Sequence, residues 1–230
     1  MRLIVMRKQW VIYGAAAALA LALFLAAPKA AEVFSPAGDA PLTVIVDAGH
    51  GGEDGGAVSA DGTKESDINL DLAIKTEALL VFLGYDAKMT RERDVSIHDD
   101  TAETLRQKKV SDLKNRVALV NSTAGALLLS IHQNSLPQDA SVRGAQAFYN
   151  AAGKETAEEI QAALNAAVNE KDKEAKPSPK GVYLMEKAAA PAVLVECGFL
   201  SNAEETALLQ EENHQKTLAC AIAAGLCRST

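Results

Sequence analysis

The segment Leu42–Gly52 (LTVIVDAGHGG) joins a short apolar run, rich in β-branched residues, to a glycine-dense loop. Such a run between turn residues is typical of a buried strand. Two later runs, Ala126–Ile131 (ALLLSI) and Ala192–Cys197 (AVLVEC), are continuously apolar, as strands covered on both faces are. Weaker strand patterns lie at Tyr85–Thr90 and Ala145–Tyr149.

Helical patterns alternate with these strands. Apolar residues recur at helical spacing over 68–82, 113–120, 160–168 and 218–226. Ser66 is a candidate N-cap for the first of these helices and Gly84 a candidate stop, whereas Val182–Met185 fits a further short strand. The alternation predicts an α/β fold, a single domain over residues 42–230, with a largely parallel twisted sheet flanked by helices on both faces.

Composition and charge restrict the function. The 230 residues are 48% hydrophobic and 23% charged, as in a globular protein. Residues 1–31 hold four basic residues and no acidic one, which leaves 19 basic and 30 acidic residues behind them, a net charge of −11. An acidic body argues against nucleic acid as a partner, because phosphate binding needs a basic surface.

The N-terminal residues predict export. Trp10–Ala27 is an uncharged apolar run that would be about 27 Å long as a helix, close to the thickness of a bilayer core. Arg2, Arg7 and Lys8 precede it and favour a cytoplasmic N-terminus. We therefore expect residues 1–31 to form a transmembrane anchor or signal segment and residues 32–41 a linker. The domain would then lie outside the cytoplasm, secreted or tethered to the membrane through the N-terminal helix.

Polar side chains follow the three strongest strands where each one ends. His50 follows the first strand, His132 follows ALLLSI, and Glu196 lies at the end of AVLV. Ligand sites in α/β sheets lie at the carboxyl ends of the strands, so these groups are expected at one edge. An unpaired carboxylate inside an apolar strand is costly, so Glu196 points to a cation or a catalytic role.

Two imidazoles and a carboxylate suit a catalytic zinc site, which takes three nitrogen or oxygen ligands and keeps an open position. Spacing alone leaves the third ligand undecided among the acids that follow His50. Glu65 is favoured because it directly precedes the candidate cap Ser66. The full set of candidates is Glu53, Asp54, Asp61, Glu65 and Asp67.

Other reactive residues have simpler interpretations. His98 and His214 lie in polar surroundings, where a surface histidine is expected. The three cysteines are interpreted as small buried apolar residues, since Cys220 and Cys227 are too far apart along a helix for a disulfide. The pair Phe148-Tyr149 fits the core better than a sugar-binding surface.

Together these motifs resemble the zinc-dependent N-acetylmuramoyl-L-alanine amidases of the amidase-3 type. The resemblance extends from Leu42 to the C-terminus, and the motifs occur in family-like order. They are Val44–Ala57 (VIVDAGHGGEDGGA), Glu65, Ser130–Asn134 (SIHQN), Arg143–Tyr149 (RGAQAFY) and Pro191–Asn202 (PAVLVECGFLSN). Within the family the chain is most similar to the amidases of sporulation. Ala48 departs from the proline that many members carry at that position.

The resemblance implies that His50, Glu65 and His132 bind Zn²⁺ and that Glu196 is the catalytic glutamate. The expected reaction is hydrolysis of the amide between N-acetylmuramic acid and the L-alanine of a peptidoglycan stem peptide. Its expected setting is spore cortex maturation in the space between the forespore membranes, as the first step toward muramic-δ-lactam. The glycan strand with its stem peptide is then the substrate, and an activating protein is a further expected partner.

Three residues near these motifs keep two interpretations each. Asp47 and Asn134 either orient the metal ligands or stabilise turns. Arg143 either meets a substrate carboxylate or faces solvent. Two alternatives to the whole assignment remain: a vegetative cell-wall amidase or peptidase, and a non-catalytic peptidoglycan-binding regulator.

Overall fold

A computed structural model describes residues 42–230. Its sheet has six strands in the order β2-β1-β3-β6-β4-β5. The strands are β1 (Thr43–Ala48), β2 (Asp86–Met89), β3 (Ala126–Asn134), β4 (Gln146–Tyr149), β5 (Lys176–Pro177) and β6 (Ala192–Phe199). The helices are α1 (Glu65–Phe82), α2 (Leu105–Ser122), α3 (Lys154–Ala167), α4 (Tyr183–Lys187), α5 (Ala203–Gln210) and α6 (Glu212–Ser229).

The α/β prediction is confirmed, and the prediction of strand direction is correct for four strands. β2, β1, β3 and β6 run parallel. β4 runs antiparallel to β6, and β5 runs parallel to β4, so the sheet is mixed. β4 reverses because its short connection from β3 contains no helix, and a parallel return normally needs a crossover helix. The start of β4 therefore lies at the edge where β1, β3 and β6 end.

The helices cover both faces, because alternate strand residues point to opposite sides. One face of the sheet packs on α1, α3, α5 and α6 and holds the larger core. The other face packs on α2 and α4, with Ile45, Leu128 and Leu194 at its centre. Toward the strand ends the inward positions of this second face become polar: Asp47, Ser130, His132 and Glu196.

Local signals set several helix ends. Gly84, with φ 94°, ends α1 as predicted, and Tyr85 N–H bonds back to the Leu80 carbonyl. Ser66 is not the N-cap, since α1 begins at Glu65. α5 is capped by Asn202, whose side chain accepts from the amides of Glu204 and Glu205.

The expected strand at Val182–Met185 is wrong, because this segment forms the short helix α4. The Gly181 amide donates to the Glu186 carboxylate, which closes the first turn. Leu184 and Met185 then both pack into the smaller core, an adjacent pair that fits a helix or a strand equally well in sequence.

The cysteine prediction is correct only in part. Cys197 is buried, whereas Cys220 and Cys227 lie exposed on α6, and all three are free. Phe148 and Tyr149 are partly buried and pack against the cores, as expected. The anchor or signal segment and the linker lie outside the described residues. Among residues 42–230, none of the helices is long and apolar enough to cross a bilayer.

Candidate active site and metal centre

Three side chains from distant parts of the sequence meet at the carboxyl edge of the sheet. His50 lies in the loop after β1, Glu65 is the first residue of α1, and His132 lies near the end of β3. One potential ligand atom from each lies within 4.8 Å of the others. Glu65 Oε1 is 2.9 Å from His132 Nδ1 and 3.3 Å from His50 Nε2. Two nitrogen donors and one carboxylate oxygen therefore converge on one point.

Glycines make this convergence sterically feasible. A methyl group on Gly49 would overlap the His132 imidazole ring. A methyl group on Gly56, where φ is 68°, would lie 2.5 Å from Glu65 Oε2 and 2.8 Å from His50 Cδ2. The glycines of the loop thus leave space for the three side chains, in addition to allowing the turn.

Glu65 is held as a buried carboxylate. It is 4% exposed, and Oε2 accepts from the Ala57 amide while Oε1 accepts from the Gln133 amide. Asn69 Nδ2 also donates to Oε1, at 3.3 Å. Burial alone would raise the pKa of Glu65, but hydrogen bonds and charge from His132 and His50 outweigh it and lower the pKa. Glu65 is therefore an ionised carboxylate that is already held in position as a candidate ligand.

Asp54 orients His50. Its Oδ2 lies 3.1 Å from His50 Nδ1, which leaves Nε2 turned toward Glu65. Burial lowers the pKa of His50, but the bonds to Asp54 and Glu65 outweigh it and raise the pKa to about 9. Lys109 lies 2.8 Å from the other Asp54 oxygen. Asp54 was among the candidates for the third ligand, and the structure places it behind a histidine instead.

Glu196 lies beside His132, as its direct partner in the pairing of β3 with β6. The residue is partly exposed at the rim, but its Oε2 atom is enclosed and has no hydrogen-bond partner within residues 42–230. Burial, and to a smaller extent the Glu65 charge, raise the pKa of Glu196, whereas His132 and His50 lower it; the net effect raises the pKa to about 7. A carboxyl with such a pKa can both accept and release a proton near neutral pH.

Asp47 belongs to a buried ion network under the His50 loop. It accepts from Arg116 at 2.6 Å, from Ser130 at 2.6 Å and from Thr90 at 2.9 Å. Burial would raise its pKa, but the Arg116 charge and the other donors lower the pKa to about 2. Arg116 also binds Asp112 one helical turn earlier. The i, i+4 spacing of Asp112 and Arg116 was the available sequence signal for this network.

The remaining candidates lie apart from the three side chains. Asn134 Oδ1 accepts from the Ser135 amide and stabilises the turn after β3. Arg143 pairs with Glu170 and Glu204 and lines a separate cavity of about 370 Å³. His98 bonds Ser96, and His214 lines the same cavity as Arg143.

A cavity of about 300 Å³ opens over the site on the α2 and α4 face. His50, His132 and Glu196 are among the residues that line it. Its walls combine apolar and polar side chains, with Leu113, Tyr183, Leu184 and Leu194 among the former and Lys109 among the latter.

Proteins of known family are similar to this chain in sequence. The family model for N-acetylmuramoyl-L-alanine amidases of the Amidase_3 type matches residues 44–228. The germination-specific N-acetylmuramoyl-L-alanine amidase of Bacillus subtilis (strain 168) is 35% identical over 188 residues, which is 80% of this chain and 78% of that protein.

Solved structures agree with this match. The CwlD amidase from Clostridioides difficile, solved in complex with the GerS lipoprotein, superposes with a TM-score of 0.78 at 38% identity, covering 82% of this chain and 98% of the other. The N-acetylmuramoyl-L-alanine amidase AmiC2 of Nostoc punctiforme gives 0.71 at 26% identity, covering 83% and 98%. The chain belongs to the amidase-3 family and is an N-acetylmuramoyl-L-alanine amidase.

Proposed function

We propose that the chain is a zinc-dependent amidase that removes stem peptides from the muramic acid of spore cortex peptidoglycan, with His50, Glu65 and His132 as ligands and Glu196 as catalytic residue. The observation that carries the proposal is the meeting of these three donors directly beside a carboxyl with an unpartnered, enclosed oxygen. The donor set of two imidazoles and one carboxylate is one that catalytic zinc sites use.

The chain's own groups support zinc at this point. Asp54 holds the Nδ1 side of His50, and two backbone amides with Asn69 hold Glu65, so these side chains need little rearrangement. The enclosed Oε2 of Glu196 is a polar atom that lacks a partner among the described residues. Zinc bound here would act as a Lewis acid and lower the pKa of a water molecule.

Glu196 then moves the proton that amide hydrolysis requires. Its carboxylate takes a proton from water as the water oxygen bonds to the lactyl carbonyl carbon. The carbon–nitrogen bond then breaks, and Glu196 returns the proton to the nitrogen of the departing L-alanine. A pKa of about 7 suits both transfers, since neither protonation state is strongly disfavoured near neutral pH.

The cortex assignment and the location rest on relatives. The similarity to a germination-specific amidase and to CwlD supports a role in spore maturation. It also supports an extracytoplasmic site of action, with residues 42–230 as the catalytic domain behind the linker 32–41 and the anchor or signal segment 1–31. The C. difficile relative was solved in complex with a lipoprotein, which supports a protein partner for this chain too.

Digestion of purified peptidoglycan by the full chain tests the chemistry. Mass analysis should show free peptides with N-terminal L-alanine and muramic acid without peptide. Chelation should abolish the reaction, and added zinc should restore it. We expect Glu196→Gln to bind zinc normally and to cleave about 10²–10⁴ times more slowly. Full activity of Glu196→Gln, or activity that survives complete metal removal, would contradict the mechanism.

A gene deletion tests the cortex role separately. Spores of the deletion strain should lack muramic-δ-lactam, and wild type should restore it while Glu196→Gln should not. Normal muramic-δ-lactam in the deletion strain, with shed peptides changed only in the vegetative wall, would instead favour the vegetative alternative. Shortened peptides that remain attached to muramic acid would point to a peptidase.

A further inference from the structure

Arg91 is a buried cation whose hydrogen bonds, in the part of the chain that the structure describes, all go to backbone carbonyls. It follows β2 and is 3% exposed. Its Nε donates to the Ala48 carbonyl at 2.9 Å, and its Nη2 donates to the Gly49 carbonyl at 3.1 Å and the Ser66 carbonyl at 2.8 Å. Nη1 closes a local turn by donating to the Arg93 carbonyl at 3.1 Å. Among residues 42–230, Arg91 forms no salt bridge.

This placement requires compensation for the buried charge. Burial and the neighbouring Arg116 charge lower the pKa of Arg91, although the charges of Asp47, Asp94 and Asp112 act in the opposite direction. A buried cation without a directly bonded carboxylate is unfavourable unless hydrogen bonds compensate, and here the four carbonyls supply them. Arg116 is different, because it lies directly between the carboxylates of Asp47 and Asp112.

The three distant carbonyls belong to the segments that carry two of the proposed ligands. Ala48 and Gly49 directly precede His50, and Ser66 directly follows Glu65. His132 lies on β3, which β1 and β6 fix on both sides. His50 and Glu65 lie in a loop and at a helix start, and the guanidinium joins these two segments to each other.

The loop conformation fits this role. His50 has φ 62°, a left-handed conformation that is unfavourable for a residue with a side chain, so the loop needs support from its surroundings. Gly51 follows with φ 132°, and a methyl group there would lie 2.9 Å from Arg91 Nε and would also overlap the Val95 carbonyl. Because Gly51 has no side chain, the Arg91 side chain can lie directly against the loop.

We infer that Arg91 is a positioning residue of the metal centre, whose planar guanidinium fixes the distance between His50 and Glu65 before metal arrives. The inference rests on the proposed zinc function. It concerns how the site is kept assembled, and it assigns Arg91 no contact with metal or substrate.

Arg91→Lys is the direct test, because lysine keeps the charge but its single ammonium cannot reproduce the planar fork that spans three carbonyls. We expect the zinc dissociation constant of the full chain to rise about 10–100-fold, the range known for residues that orient metal ligands. The visible spectrum of the cobalt-substituted protein should change, and zinc-saturated Arg91→Lys should lose kcat with little change in KM. Arg93→Lys, an exposed arginine in the same loop, is the matched control and should resemble wild type in all three.

The outcomes separate the two proposals. If wild type binds no zinc, the proposed function fails. If wild type binds zinc and Arg91→Lys matches it in affinity and cobalt spectrum, only the inference about Arg91 fails. Hydrogen exchange on metal-free wild type does not depend on the variant folding. Three backbone amides should be protected from exchange without metal: those of Gly49, Glu65 and Ser66, which donate to the carbonyls of Ile131, Ala57 and Gly55 respectively. Exchange of these amides at unprotected rates would refute preassembly of the site.

Discussion

Replacing Gly56 with alanine should weaken zinc binding, although Gly56 is not one of the proposed ligands. The added methyl group would lie 2.5 Å from Glu65 Oε2 and 2.8 Å from His50 Cδ2. Ordinary non-bonded contacts lie near 3.5 Å, so the two proposed ligands must retreat by roughly 0.7–1 Å. Functional sites tolerate misplacement of only about 0.5 Å, and an error near 1 Å can cost about 10²-fold. We therefore expect a loss of about 100-fold in zinc affinity and in kcat/KM.

Gly62→Ala is the matched control for this experiment. Gly62 also has a positive φ, 91°, but a methyl group there would meet nothing within 4 Å. Both variants should lose about 1–2 kcal/mol of unfolding free energy from backbone strain, which thermal unfolding of the metal-free proteins measures. Zinc competition with a chromophoric chelator then measures affinity. If Gly56→Ala binds zinc as tightly as Gly62→Ala, the steric argument for the site is refuted.

Two further changes test the groups around the site. Asp54→Asn should weaken zinc binding about 10–100-fold, because His50 loses its orienting carboxylate. The control Glu53→Gln loses only an exposed pairing with Lys108 and should bind zinc as wild type does. Equal zinc affinities of the two variants would contradict the role of Asp54. Asp47 should make the fold acid-sensitive. Since its pKa is lowered to about 2 in the folded state, its contribution of roughly 2 kcal/mol is present above about pH 4 and is lost as the pH falls toward 2. Urea unfolding between pH 5 and 2 should show this loss in wild type, and a variant Asp47→Asn with the same acid limb would contradict it.

The sequence predicted the parts of the fold that depend on long apolar runs. The three strongest runs all became neighbouring parallel strands, and the rule that ligands follow strand ends placed His50, His132 and Glu196 at one edge. The direction of β4 was not predictable from its own four residues, because direction depends on the connection and the neighbouring strand. α4 was missed because its two buried residues are adjacent and fit either period.

The residues around the proposed ligands were harder to predict from the sequence than the ligands themselves. Asp54 was one of five acids that spacing left open as the third ligand, since spacing cannot distinguish a ligand from a group one hydrogen bond behind it. Arg91 follows the carboxyl end of β2, as His50 follows that of β1. The sequence pattern of β2 is weaker than those of β1, β3 and β6, so it drew no attention to the residues behind it. Arg143 lies close to a family motif in sequence but pairs with Glu170 and Glu204.

Metal content measures the central claim most directly. The full chain and the variants His50→Ala, Glu65→Ala and His132→Ala are dialysed to equilibrium against the same low free zinc concentration, and bound zinc is counted per folded chain. Wild type should hold one zinc ion, and each variant should lose most of it while keeping its far-ultraviolet circular dichroism spectrum. A wild type without zinc, or three variants that all retain a full equivalent, would show that these three side chains do not form the metal site.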